Sequence, residues 1–90
     1  MTSKEMLTKY IKSFRVECYF LVENTGGGMP VGQYNKAYEN AKNEIIEELN
    51  LTDDDIKKID AIHRTFISKV TELENYNDAE DYVLGVIEKL

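Results

Sequence analysis

Apolar residues recur every three or four positions along most of the chain, which is the spacing of one face of an α-helix. The first apolar stripe predicts a helix over residues 3–22, and a Thr2-x-x-Glu5 capping box stands at its start. The second stripe predicts a helix over residues 31–50. The two stripes consist of Leu7, Ile11, Phe14, Cys18 and Leu21, and of Tyr34, Tyr38, Ala41, Ile45 and Leu49.

Two further helices are predicted in the second half of the chain. Thr52-x-x-Asp55 is another capping box, and it opens a predicted helix over residues 53–74. Asn77-x-x-Glu80 gives a third capping signal, before a predicted helix over residues 78–90. Gly85 inside that helix suggests the close approach of a neighbouring helix. The short joint at residues 50–52 predicts that the second and third helices are antiparallel.

Four amphipathic helices with short connections predict an all-α fold, a compact antiparallel four-helix bundle that forms a single domain over residues 1–90. The segment 14–23, FRVECYFLVE, allows an alternative, because its apolar residues also alternate as they do in a strand. The fold would then be α+β, with this strand packed on helices or paired with its copy in a dimer. The helix is favoured, because no second alternating segment of comparable length offers the strand a partner.

The composition excludes several classes of protein. Ninety residues, of which 42% are hydrophobic and 31% charged, suit one globular domain and leave little room for an elaborate active site. No apolar run approaches the ~20 residues that span a bilayer, and no signal-peptide block follows the N-terminus. The single cysteine, Cys18, excludes an internal disulfide. These features predict a cytoplasmic protein without membrane contact.

The net charge of −6 is concentrated in the second half of the chain. Residues 1–43 contain six basic and four acidic side chains, whereas residues 44–90 contain five and thirteen. Direct nucleic-acid binding is disfavoured, because it requires a cationic surface. A basic partner protein is favoured instead, and its basic surface could be one that otherwise holds nucleic acid.

Candidate catalytic and ligand-binding groups are few. The glycines at 26–28 have no phosphate-loop lysine after them, and Pro30 removes a backbone donor, so the stretch is interpreted as a joint. His63 is expected at the border of the core beside a carboxylate, and Cys18 as a small buried hydrophobe. One cysteine and one histidine cannot form a structural zinc site, and the acidic run lacks calcium-loop spacing. The sequence predicts a non-enzyme without a cofactor or metal.

The predicted partner-binding residues fall into two groups. The first is an acidic corner, which serves either a basic partner or only helix capping and solubility. The second consists of aromatic side chains near the loop ends or on the flanks of the apolar stripes, where tyrosine suits a protein interface. The two groups are Glu44, Glu47, Glu48, Asp53, Asp54 and Asp55, and Tyr19, Phe20, Tyr34 and Tyr38; Val16 also lies off the stripe.

The resulting functional prediction is a small acidic, non-catalytic module that docks on a larger protein with a basic groove and modulates or inhibits it. An alternative is a homodimeric structural or regulatory module that pairs through residues 14–23. Small acidic helical chains also occur among bacteriocin-immunity proteins and phage-encoded inhibitors, but this analogy holds only at the level of class. A ligand carrier or enzyme that uses the glycine loop and His63 is the least favoured hypothesis.

Overall fold

The computed structural model describes the backbone of residues 2–25 and 31–90, and the side chains of residues 2–21 and 32–90. Within these ranges the chain forms four α-helices and no strand: α1 (Ser3–Thr25), α2 (Val31–Leu49), α3 (Asp53–Leu73) and α4 (Tyr76–Glu88). The all-α prediction is confirmed, and the alternative of a strand at 14–23 is wrong. The glycine-rich joint at residues 26–30 lies outside the described residues.

Helices α1 and α3 begin with the two predicted capping boxes. The Glu5 N–H donates to Thr2 Oγ1 at 3.1 Å, and the Thr2 N–H donates to Glu5 Oε1 at 3.4 Å. At α3 the Asp55 N–H donates to Thr52 Oγ1 at 3.3 Å, and the Thr52 N–H donates to Asp55 Oδ2 at 3.2 Å. Backbone donors that have no partner inside the helix are thereby satisfied.

The start of α4 differs from the prediction. Its N-cap is Asn75, whose side-chain oxygen accepts a hydrogen bond from the Asp78 N–H at 3.0 Å. The prediction that Asn77 caps this helix is wrong, because the helix already includes Asn77. Glu80, the expected partner of Asn77 in the capping signal, instead forms an ion pair with Arg15 of α1.

Helices α2 and α3 each end one residue before the predicted position. In both cases the residue that follows the helix has a left-handed backbone conformation. Asn50 has a φ of 53° and Glu74 a φ of 52°. The Glu74 N–H donates to the carbonyl oxygen of Val70 at 2.9 Å, which closes the last turn of α3. Asparagine is one of the few residues that enter this conformation readily, whereas glutamate is not.

Gly85 is not a point of close helix contact, contrary to the prediction. A Cβ atom added to Gly85 would meet no heavy atom within 4 Å, outside the atoms of its own helix and its chain neighbours. The residue is exposed on the outside of α4. A side chain at position 85 would therefore extend into open space beside the helix.

Polar contacts between neighbouring helices show that they alternate in direction. Moving along α1, residues 9, 13 and 17 meet residues 48, 44 and 40 of α2 in turn, so α1 and α2 are antiparallel. In the contacts of α2 with α3, and of α1 with α4, residue numbers likewise rise along one helix and fall along the other. These are Tyr38–Asp60 and Asn35–His63, and Lys4–Glu88 and Arg15–Glu80. The predicted antiparallel bundle is thus confirmed.

The core is rich in aromatic rings, and Phe66 of α3 lies at its centre. Its ring contacts Phe14 of α1 at a centroid distance of 5.0 Å, Tyr34 of α2 at 5.3 Å and Tyr76 of α4 at 5.5 Å. All three pairs are edge-to-face, an arrangement that aromatic pairs favour. Aliphatic side chains of the predicted stripes complete the core. They include Leu7, Ile11, Leu21, Ile45, Ile59, Ile62, Val83 and Ile87.

Candidate functional site

Helix α1 buries one side and exposes a second apolar side to solvent. Its stripe of Leu7 to Leu21 is buried, but Val16, Tyr19 and Phe20 are 66%, 64% and 62% exposed. These three residues are spaced by three and four positions, so they lie on the same side of successive turns. We call them the outer face of α1. Among the described residues, the other large apolar side chains that are exposed are Leu73, Tyr82 and Leu90.

Two carboxyl groups border the outer face on the side of α2. Glu17 of α1 meets Glu44 of α2, and Glu17 also accepts a hydrogen bond from the Asn40 amide at 3.4 Å. The Ser13 hydroxyl donates to Glu44 Oε2 at 2.5 Å. Burial raises the pKa of Glu17 above its ordinary value, and the contact with Glu44 raises this pKa further. The ionised forms of the two carboxyl groups therefore repel each other, and a cation placed beside them would offset this repulsion.

An ion pair borders the outer face on the side of α4. The Arg15 guanidinium binds the carboxylate of Glu80, and its Nε–H donates to Oε2 at 3.3 Å. Glu80 is only 9% exposed, whereas the Arg15 side chain remains half-exposed. The hydrogen bond and the charge of Glu80 raise the pKa of Arg15. This side of the face is thus locally neutral, and it ties α1 to α4.

The structure divides the predicted acidic corner into two parts. Glu44 and Glu48 contact α1, because Glu44 accepts from Ser13 and Glu48 pairs with Lys9 at 3.3 Å. Glu47 is exposed between them. The other three residues form the first turn of α3, where carboxylates favour the positive end of the helix dipole. In that turn Asp55 belongs to the capping box and Asp53 and Asp54 are exposed.

The four predicted aromatic residues also separate. Tyr19 and Phe20 belong to the outer face, but Tyr38 is only 6% exposed and its hydroxyl donates to Asp60 at 2.8 Å. Tyr34 is half-buried and packs against Phe66. Tyr34 and Tyr38 therefore pack in or against the core and leave little surface for a partner to contact. Val16 takes their place in the exposed group.

His63 is fully inside the bundle, and its polar partner is an amide, although a carboxylate was expected. Its Nε2–H donates to Asn35 Oδ1 at 2.8 Å, and its ring stacks on Tyr38 at a centroid distance of 4.2 Å. Within the described part of the chain, Nδ1 has no hydrogen-bond partner. Burial lowers the pKa of His63 from 6.5 to about 4. The imidazole is therefore neutral at pH 7.

Cys18 is buried, as expected. Its side chain is 4% exposed, and burial raises the pKa of the thiol to about 12. A thiol in this state is a poor nucleophile, because the reactive species is the thiolate. Among the described residues, no three or more His, Cys, Asp or Glu side chains form a cluster that could hold a metal ion.

A cavity of about 240 Å³ lies at the end of the bundle where α1 and α3 begin. Its walls combine apolar and polar residues, and two of the polar ones, Thr2 and Asp55, already serve the capping boxes. The lining residues are Thr2, Ser3, Met6, Leu49, Leu51 and Asp55. Within residues 2–25 and 31–90, none of the helices has the length and apolar character that a membrane span requires.

Comparisons of the chain with protein-family models, with curated proteins and with solved structures found no match. The geometry of the outer face of α1 and of its two borders therefore carries the functional interpretation.

Proposed function

We propose that this chain is a small, non-catalytic module that binds a positively charged partner protein through the outer face of α1. The observation that carries this proposal is the exposure of Val16, Tyr19 and Phe20 on a helix whose opposite side is well packed. Together these side chains offer roughly 300 Å² of mostly apolar surface, a size at which exposed patches on small proteins are often functional.

The residue types on this face suit a protein partner. Tyrosine and phenylalanine provide a large contact area with only two rotatable side-chain bonds, so little conformational entropy is lost on binding. The hydroxyl of Tyr19 can remain at a polar rim while its ring is covered. Ridges of side chains spaced by three and four residues pack well against a groove or a second helix.

The charge distribution favours a basic partner. The chain carries a net charge of −6, and Glu17 and Glu44 lie on the α2 side of the outer face. Glu48, one turn beyond Glu44 on α2, pairs with Lys9 of α1. Of the predicted acidic corner, we therefore assign only the carboxylates of α2 to partner binding and not those in the first turn of α3. A module of this kind would modulate or inhibit a larger protein by covering a basic surface, and the buried thiol suits a cytoplasmic setting.

A homodimer through the same face is the second candidate function, because an exposed apolar helix face can also be covered by its own copy. Repulsion between two chains of charge −6 opposes this arrangement. The immunity-protein and phage-inhibitor analogy agrees with a small acidic module that covers a basic surface, and it adds no residue to the argument.

Affinity capture from extracts of the source organism tests the proposed function. The wild-type chain is immobilised beside a Val16→Ser/Tyr19→Ser variant and a Leu73→Ser/Tyr82→Ser control, which removes exposed apolar groups elsewhere. We expect a partner to be retained by the wild type and the control and lost by the α1 variant. Circular dichroism verifies that all three are folded. A partner retained equally by all three would contradict the assignment of this face.

A further inference from the structure

We propose that the partner presents an amphipathic helix to the outer face of α1, and that a lysine or arginine of this helix binds between Glu17 and Glu44. The inference rests on the proposed function and specifies the chemistry of the partner. Apolar residues of the partner helix would cover Val16 and Tyr19, and its basic side would lie along α2.

The first argument is the unbalanced charge beside the face. The Glu17 and Glu44 carboxyl groups contact each other, and the hydrogen bonds described to them come from two neutral groups, Ser13 and Asn40. Two basic side chains of α1 bind other carboxylates. Lys9 pairs with Glu48 and Arg15 pairs with Glu80. An arriving ammonium or guanidinium group would therefore offset a repulsion that the unbound protein contains.

The second argument is the position of this pair relative to the apolar residues. Glu17 is adjacent to Val16 in sequence and one helical turn beyond Ser13, so the carboxyl pair lies at the edge of the outer face. Exposed Lys12, one turn before Val16, carries the opposite charge. The anionic part of this surface is thereby confined to the α2 side, which fixes where the partner's basic residue must lie.

A pair of designed peptides tests this inference on the full chain. Both are helical peptides of about 18 residues with the same leucine stripe; one carries lysine beside the stripe and the other glutamate. They are titrated into the ¹⁵N-labelled protein. We expect the lysine peptide to shift the amide signals of Ser13, Val16, Glu17, Tyr19, Asn40 and Glu44. The glutamate peptide should bind at least about tenfold more weakly.

Two charge variants provide the matched comparison. Glu17→Gln/Glu44→Gln should weaken binding of the lysine peptide about tenfold and reduce its salt dependence. Glu39→Gln/Glu72→Gln removes the same number of charges from surface pairs with Lys42 and Lys69. That control should leave the affinity within about twofold of wild type. The glutamine side chains retain hydrogen-bonding groups for Ser13 and Asn40.

Several results would overturn the inference. Equal binding of the two peptides, or equal weakening by both charge variants, would mean that Glu17 and Glu44 do not hold a cation. If neither peptide binds, sedimentation velocity identifies the case in which a second copy covers the face. That dimer would be dissociated by Val16→Ser/Tyr19→Ser. If neither peptide binds and the chain is monomeric, the cationic helix is rejected, and affinity capture decides the proposed function separately.

Discussion

At the scale of single residues, His63 shows how the bundle accommodates a polar ring. The imidazole lies between Tyr38, which stacks on it, and Phe14, whose ring is 6.0 Å away. One nitrogen is satisfied by Asn35, and protonation of the other would place an N–H without an acceptor inside the core. The surroundings therefore select the neutral form of the ring.

The stability of the protein should decrease in mild acid because of His63. Its pKa is lowered from 6.5 to about 4, mainly by burial; nearby Lys42 lowers it further, and Asp60 and Glu39 act in the opposite direction. Between these pH values the unfolded chain binds more protons than the folded chain. The free energy of unfolding should thus fall by up to about 3 kcal/mol as the pH falls to 4, and the contribution of His63 levels off as the pH rises well above 6.5.

Urea unfolding of the wild type and of His63→Gln, measured across this pH range, checks the expectation. The variant is less stable at neutral pH because the ring contacts are lost. Its stability should nevertheless decline less steeply in acid, since only the groups common to both proteins still titrate. Parallel curves for the two proteins would assign the acid sensitivity to other groups.

At the scale of elements, the start of α4 depends on which asparagine caps it. The side chain of Asn75 accepts from the Asp78 N–H, whereas Asn77 lies exposed in the first turn. Asn75→Ala should lower the free energy of unfolding by about 1 kcal/mol, the usual cost of removing an N-cap. Asn77→Ala should change it by less than about 0.5 kcal/mol. Thermal unfolding of both variants decides the matter, and the reverse order would refute this cap.

Two substitutions should each stabilise a helix, one by removing a glycine and the other by introducing one. Gly85→Ala adds a methyl group in open space on α4, and alanine is about 1 kcal/mol more favourable in a helix interior. Glu74→Gly places glycine at the left-handed end of α3, where glutamate is strained. Each variant should raise the melting temperature by several degrees. A Glu72→Gly control, inside α3, should lower it.

Helix positions could be predicted from the sequence because buried residues repeat with the helical period in all four segments. The cap of α4 could not, because Asn75 and Asn77 both have the side chain that a cap requires. The choice between them depends on tertiary contacts, namely the packing of Tyr76 on Phe66 and the ion pair of Glu80. Residue type alone does not contain that information.

The candidate site was only partly predictable for a related reason. Tyr19 and Phe20 lie off the apolar stripe, so their exposure could be expected, whereas Tyr38 belongs to a stripe and is buried. The Glu17–Glu44 contact was missed because it joins two helices. A signal for it exists in the matching polar series at four-residue spacing. These series are Lys9, Ser13 and Glu17 on α1, and Asn40, Glu44 and Glu48 on α2.

At the scale of the whole molecule, one set of rings connects all four helices. Phe66 touches an aromatic ring from each of the other three helices, so no helix pair has a separate core. The Cα radius of gyration is 12.5 Å, close to the value of about 12 Å for a compact chain of this length. A shared core of this kind favours a single cooperative unfolding transition.

Unfolding in urea should give the same midpoint by far-ultraviolet circular dichroism and by tyrosine fluorescence. Phe66→Ala should remove about 3–5 kcal/mol of stability, since it deletes a fully buried ring and leaves a cavity. Phe66→Leu retains most of the volume and should cost less. Two separated transitions, one for α1 with α2 and one for α3 with α4, would contradict the shared core.

The burial of Cys18 also makes its thiol a probe of how often α1 separates from the other helices. Its sulfur lies on the inner side of α1 and resists ionisation, so a thiol reagent reaches it only when that helix leaves its neighbours. When reclosing is faster than the chemical step, the modification rate measures the equilibrium fraction of open molecules. An alkylated Cys18 side chain is too large for its buried position, so a modified chain cannot return to the native packing. Modified chains therefore accumulate with time, even when openings are rare.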